Sequence, residues 1–414
     1  MKNLKTILIG TAAATFACVG LAQAADAPMR EPVYRCDARG FIELPGTDVC
    51  FKVGGFARLV VWGVNDDYVD VNEGNIEENV GDDRFGMYAQ GRLNFDARRS
   101  TDHGTVRAFV EVQASDNNGN TGGPLQLRHA FAQMGNWVFG KTWSTYLHGA
   151  SDPNGTDISF AAHSIRINQI RYTQSVGNGL SVAIAIEDQA YENDGRTRRL
   201  SGGVPTPVTF VNYGNGGSGE NNVPNFVANI NYAVGSWDAQ LSGVLHQNEY
   251  ADPAGTDELG YGIMFSIAGE LTDQLNIFGK VNYTHANPSY QFDWFNAGNN
   301  TGDDHNQFGI MGGLSYEATD MVTFQAAGFW GNEDNNGNSA SLATAAANCS
   351  RLQAVEADGA CAVDQDVWGG SLLVSYRPAS GFEFMGELLY RNTSPAVGPD
   401  TDEVIGVFQA AASF

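Results

Sequence analysis

The sequence predicts an all-β protein, a 16-stranded antiparallel transmembrane β-barrel with long outer loops and short periplasmic turns. Three observations carry that expectation. Polar and apolar side chains alternate along short segments, tight turns alternate with long polar loops, and the chain opens on an export leader.

The alternation is regular. From Arg84 to Phe95 the even positions are Arg84, Gly86, Tyr88, Gln90, Arg92 and Asn94, and the odd ones are Phe85, Met87, Ala89, Gly91, Leu93 and Phe95. Successive side chains of a strand point to opposite faces, so one face is wet and the other greasy. The same reading sets Arg107, Glu111 and Gln113 opposite Val106, Ala108, Val110 and Val112, and Gln126 and Arg128 opposite Leu125, Leu127 and Phe131.

Strands are expected at 50–65, 83–96, 104–114, 124–134, 137–145, 167–175, 180–189, 223–234, 236–248, 257–270, 275–285, 305–317, 321–332, 365–377, 381–392 and 402–414. An even number of antiparallel strands can close and leave no free edge. Tight turns fall at 135–136, 176–179, 234–235, 271–274, 318–320 and 378–381; long polar loops fall at 66–82, 146–166, 190–222, 286–304 and 333–364. A soluble sandwich has no reason to sort its loops this way. Aromatics near strand ends, among them Trp62, Trp137, Trp143, Tyr172, Tyr232, Trp237, Phe278, Tyr283, Tyr316, Phe324, Phe329, Trp330, Tyr376 and Tyr390, suit interfacial girdles. A barrel this wide is not filled by its own side chains, which implies a water-filled channel.

The leader has Lys2 and Lys5 before an apolar stretch from Thr6 to Leu21, and Ala22-Gln23-Ala24 forms an A-x-A cleavage site. Cys18 lies inside the discarded stretch. The expected division is a signal peptide at 1–24, an N-terminal periplasmic segment with a disulfide at 25–49, and the barrel at 50–414. Cleavage removes two of 23 basic residues and none of 47 acidic ones, so the mature net charge is 21 minus 47, or −26. Nucleic acid is therefore not an expected partner. Four cysteines remain, Cys36, Cys50, Cys349 and Cys361, in a chain that leaves the reducing cytosol. Three pairings are possible, and the pairs close in sequence, Cys36 with Cys50 and Cys349 with Cys361, are favoured. Their spacings fit no common zinc site, and no metal or cofactor is expected.

Several motifs are weighed and set aside. Gly135, Gly140, Lys141 and Thr142 fit G-x-x-x-x-G-K-[ST], but Asn136, Trp137, Val138 and Phe139 fill the place of a flexible phosphate loop, and no long helix follows. Asn332 to Gly337 resembles the start of a calcium loop, but its twelfth position is Ala343. His148 and His163 with Asp152 and Asp157 are the one group with a catalytic look, and no G-x-S-x-G or H-E-x-x-H motif occurs. The acidic stretch 66–83, with Asp66, Asp67, Asp70, Glu73, Glu77, Glu78, Asp82 and Asp83, is read as a solvated, solubilising loop; the alternatives are that it holds divalent cations bridging anionic lipid headgroups or enriches cations at the mouth.

The mature chain resembles the alphaproteobacterial general porins of the rhizobial type. The resemblance rests on the leader, Val33-Tyr-Arg-Cys36-Asp37, Leu44-Pro-Gly-Thr-Asp-Val-Cys50, the opening strand Lys52-Val-Gly-Gly-Phe-Ala-Arg58 and the terminal Ala411-Ala-Ser-Phe414. It implies a homotrimer in the outer membrane, a third long loop folded into the lumen, and a terminal Phe414 read by the outer-membrane assembly machinery. The 333–364 loop with its own cysteine pair departs from the family pattern.

A pore's chemistry is electrostatics at its narrowest point. Arg58, Arg84, Arg92, Arg107 and Arg128 share the polar parity of the first four strands, and Lys141 precedes the candidate constriction loop, which brings Asp152 and Asp157 to face them across water. The expected function is passive diffusion of ions and small hydrophilic solutes, with a mild cation preference that fades as salt rises. An outer-membrane barrel enzyme and a secreted β-rich adhesin are the alternatives.

Overall fold

The computed structural model describes residues 36, 40–66, 70–72, 75–77, 82–116, 125–156, 165–188, 192–193, 223–249, 257–286, 290–292, 305–335, 364–395 and 400–414. Sixteen long strands follow one another: β1 (Cys50–Asp66), β2 (Asp82–Thr101), β3 (Gly104–Ser115), β4 (Gln126–Met134), β5 (Trp137–Trp143), β6 (Ile165–Gly177), β7 (Leu180–Glu187), β8 (Asn225–Val234), β9 (Trp237–Glu249), β10 (Asp257–Thr272), β11 (Leu275–His285), β12 (His305–Thr319), β13 (Val322–Asn335), β14 (Gln365–Ala379), β15 (Phe382–Pro395) and β16 (Thr401–Ser413). Each pairs antiparallel with its chain neighbour, and β16 returns to β1 from Phe56↔Ser413 to Asp66↔Glu403, which closes the barrel.

Every expected strand is present. The largest boundary error is at β2, which runs five residues past position 96 because the in-and-out alternation continues through Ala97, Arg98 and Arg99. Short extensions flank the barrel: Ile42–Glu43 adds to the base of β1, and Glu192–Asn193 pairs with the first residues of β6. Where β1 passes close to β2 it needs Gly55, whose φ is 157° and where a Cβ would meet the Arg92 carbonyl oxygen at 2.1 Å.

Alternation sets the two faces of the wall. Phe85, Met87, Leu93, Ile263, Phe265, Leu314, Leu372 and Leu388 are exposed on the outside, as a surface solvated by lipid requires. Aromatics gather at both edges, with Trp137 against Tyr172 at 4.9 Å on the short-turn side and Trp368 against Tyr390 at 5.1 Å on the loop side. Trp62, Phe278 and Phe329 correct the expected girdle, because their parity points them inward into an apolar cluster with Val60, Val64, Tyr88, Leu389 and Val407. The Trp62 indole packs on Gly86, where a Cβ would fall 2.5 Å from the ring.

One register break matters. Between β3 and β4 the pairing slips from Glu111↔His129 to Val112↔Leu127, so Arg128 is an extra, bulged residue. Phe131 thereby moves from the expected greasy face to the inner one, where it stacks on Phe109 at 5.4 Å.

Candidate functional site

The inner face of β1–β4 carries the arginines. Arg58 and Arg92 both stack on the Phe56 ring, at 4.7 and 4.6 Å from its centroid. Arg58 donates to Gln90. Arg92 donates to Gln113 through Nε at 2.9 Å and lies 3.6 Å from Glu111. Arg128, inward by the same alternation as Gln126, donates to Glu111 at 2.9 Å. Nearer the short-turn end Asp96 accepts from both Arg98 and Arg107, each in a two-pronged contact. On this wall the arginines outnumber the carboxylates Asp96 and Glu111, so it is cationic.

Not all expected members join it. The Arg84 side chain and all of Asp157 lie outside the described residues. Lys141 shares its parity with the exposed Trp137 and Phe139, while Val138 and Thr142 take the inner positions. Lys141 is nonetheless within electrostatic reach of Arg128 and of Arg166, a residue the sequence reading missed. Arg166 is buried, stacks on Trp143 at 4.2 Å and also acts on Arg92.

Asp152 does not face the arginines across water. After β5 the chain turns inward and lies along the opposite wall as a belt from Ser144 to Thr156, whose partners advance strand by strand. The Ser144 hydroxyl and the Thr145 amide donate to Glu187 on β7, both at 2.7 Å. The Thr145 carbonyl accepts from Asn229 on β8 at 2.7 Å, and the Leu147 carbonyl accepts from Gln240 on β9 at 3.0 Å. The Tyr146 hydroxyl donates to Asn282 on β11 at 2.5 Å, and Asp152 pairs with the fully buried Lys280 of the same strand. Asn154 exchanges two bonds with Gln325 on β13, and Thr156 donates from its amide and hydroxyl to Glu387 on β15 at 2.8 and 2.7 Å.

The belt is not extended throughout: the Leu147 amide donates to the Ser144 carbonyl at 3.2 Å, and a 3-10 turn follows at Gly149–Ser151. Sequence spacing gave no hint of the belt's path, because each partner is a single polar residue on a distant strand.

His148, on the belt, lies 3.1 Å from Asp238. Burial holds its imidazole below the ordinary histidine value, Asp238 and Asp152 oppose that shift, and Lys280 adds to it. Among the described residues no group of His, Cys, Asp or Glu could hold a metal ion. Cys36 and Cys50 are bonded, with Cα atoms 5.1 Å apart, while Cys349 and Cys361 lie outside the described residues.

A closed 16-stranded barrel with a charged inner wall and an inward loop is a pore. The family model described as "Porin subfamily" matches residues 24–409. The chain belongs to this porin family. Porin Omp2b of Brucella canis is 30% identical over 345 residues, covering 78% of this chain and 83% of that protein. Porin Omp2b of Brucella melitensis is 29% identical over 343 residues with the same coverage. Among solved structures, the outer-membrane channel DcaP of Acinetobacter baumannii superposes with a TM-score of 0.67 at 17% identity, covering 88% of this chain and 97% of that one. The anion-selective porin from Comamonas acidovorans gives 0.53 at 11% identity over 88% and 100%. Vibrio cholerae OmpT in its trimer form gives 0.50 at 13% identity over 89% and 100%. These structural likenesses carry the fold. Family and fold together make this porin an outer-membrane channel.

Proposed function

We propose that this porin works as a homotrimeric, water-filled channel for passive diffusion of ions and small hydrophilic solutes, with residues 1–24 removed on export. The observation that carries the reading is the division of labour inside the barrel. The belt from Ser144 to Thr156 takes up the β7–β15 wall, which leaves solutes to pass along the Arg58, Arg92 and Arg128 wall. Bore is set by the belt and charge by the arginines. Anions gain a lane beside the arginines, while the acidic stretch 66–83 favours cations at the mouth at low salt.

The trimer is supported by the outer surface as well as by the trimeric OmpT neighbour. β5 has seven residues, about 23 Å of strand, and at a tilt of about 40° it rises only about 18 Å against an apolar band of about 25 Å. Lys141 adds a cationic side chain to that short face. A protein neighbour satisfies both features and lipid satisfies neither; outer-membrane lipids then cover the rest of the apolar wall. Phe414, whose amide and carbonyl bond Gly55, is the residue the assembly machinery would read.

Reconstitution in planar bilayers tests the reading. The purified trimer should give stepwise, ohmic conductance with no energy source, and trimers that fold yet show no steps would refute it.

A further inference from the structure

Beyond Ala286, the loop between β11 and β12 contributes the described run Tyr290, Gln291 and Phe292, and all three are buried inside the barrel. Loops of a diffusion channel have no need to bury consecutive side chains, so their contacts are informative. Tyr290 packs edge-on against Tyr146 of the belt at 5.3 Å. Its hydroxyl donates to Glu187 at 2.9 Å and accepts from Asn225 at 3.1 Å, and Asn225 in turn accepts from His246 at 2.6 Å. The Tyr290 backbone carbonyl accepts from Asn282 at 3.0 Å, and the Gln291 side-chain oxygen Oε1 accepts from Gln307 Nε2 at 3.0 Å.

The two aromatic rings belong to different apolar clusters. Tyr290 joins Tyr146, Ile165, Ile167, Val227, Val244 and Met264 on the β6–β10 arc. Phe292, two residues on, joins Val60, Trp62, Tyr88, Phe329, Leu389 and Val407 on the β12–β2 arc. An aqueous lumen calls for polar inner side chains, yet the sequence places an apolar socket there and sets Phe292 in it with no exposure. The tripeptide thus joins both arcs of the inner wall, and it grips the same Glu187 carboxylate that anchors Ser144 and Thr145 at the root of the belt.

From this geometry we infer that Tyr290–Phe292 is a second constriction element, a keystone that fixes the root of the belt and narrows the bore, so that two loops and not one set the size limit of the pore. Tyr290 acts as a positioning residue through Glu187, and Phe292 is the wedge. Burial holds the Tyr290 phenol protonated far above neutral pH, which keeps its hydroxyl a donor to Glu187. The inference rests on the channel reading above.

The experiment uses the full-length trimer in planar bilayers, with sugar uptake by proteoliposomes as the size readout. Phe292→Ala should raise single-channel conductance roughly 1.3- to 2-fold and admit larger uncharged sugars, with a smaller rise for Phe292→Leu. Tyr290→Phe should increase open-channel noise, because the belt root loses one of its anchors. That effect should not add to the effect of Ser144→Ala, since both act through Glu187. If Phe292→Ala does not assemble, Phe292→Leu and Tyr290→Phe decide. Wild-type conductance, noise and sugar limit in assembled variants would overturn the keystone, whereas a silent wild-type protein would overturn the channel reading instead.

Discussion

The two halves of the inner wall solve opposite problems. On β1–β4, charged side chains bond mostly to their own sheet neighbours: Arg58 to Gln90, Arg92 to Gln113, Arg128 to Glu111, Arg107 to Asp96. Short-range pairs hold the guanidinium groups in place and leave an excess of positive charge on this wall. On β7–β15, polar side chains bond to the belt instead, so Glu187, Lys280, Gln325 and Glu387 are used up in holding a loop. One wall presents charge to solutes, and the other spends it on shape.

The sharpest way to break this contrast is to remove the belt. Excising residues between Ala150 and Ala162 should raise conductance and sugar cut-off severalfold with barrel and trimer intact. If neither changes, the belt does not line the constriction, and Asp152 and Asp157 have no part in it. Next in size is charge reversal on the other wall. Arg58→Glu with Arg92→Glu should move the reversal potential toward cations with little change in size limit. Arg107→Glu should shift selectivity less, because Arg107 lies nearer the short-turn end and shares Asp96 with Arg98, but it should cost roughly 1.5–3 kcal/mol of stability by removing a charge-assisted pair.

A smaller effect separates the belt's own charges. Asp152→Asn leaves the buried Lys280 ammonium without its carboxylate and should lower thermal stability, and adding Lys280→Met should restore much of the loss. His148 supplies a pH test. Its folded value lies below 6.5, so the folded protein keeps the ring neutral where the unfolded chain would protonate it. The stability it contributes is complete above about pH 6.5 and falls as pH drops below that value. Open-channel noise should rise on acidification from pH 7.5 to 5, and His148→Gln should flatten that response. The smallest effect on conduction belongs to the cysteines. The mature protein should resist alkylation until reduced and then take up four groups, while Cys36→Ser with Cys50→Ser should leave conductance unchanged and cost about 3 kcal/mol.

How much of this was legible follows from what repeats. Alternation from Arg84 to Phe95, tight turns such as Gly135-Asn136 and the even strand number each recur around the barrel, and together they specified the closed sheet. The arginine wall was mostly legible for the same reason, since Arg58, Arg92 and Arg107 keep the parity of their strands. Lys141 shows that position before the constriction loop is no guide without parity, because the inner positions of β5 belong to Val138 and Thr142. Asp152 was read as facing the arginines because loop composition says nothing about which distant strand a carboxylate will meet. The bulge at Arg128 and the inward Trp62 were invisible to alternation alone: an extra residue resets the phase, and an aromatic fits a girdle or a socket equally well by type.

The seam between β1 and β16 has a consequence for how the molecule comes into being. The residues that pair across it lie more than 300 positions apart, with Phe56 opposite Ser413 and the Phe414 backbone bonded to Gly55. Every other long-strand pairing joins neighbours in the chain and can form as the polypeptide emerges. This one waits for the final strand, so a chain cut short at Pro395 would keep two raw sheet edges inside a hydrocarbon medium that cannot hydrate them. The last contact to form is therefore a test of full-length synthesis, and a truncated chain fails it by being unable to stay in the membrane.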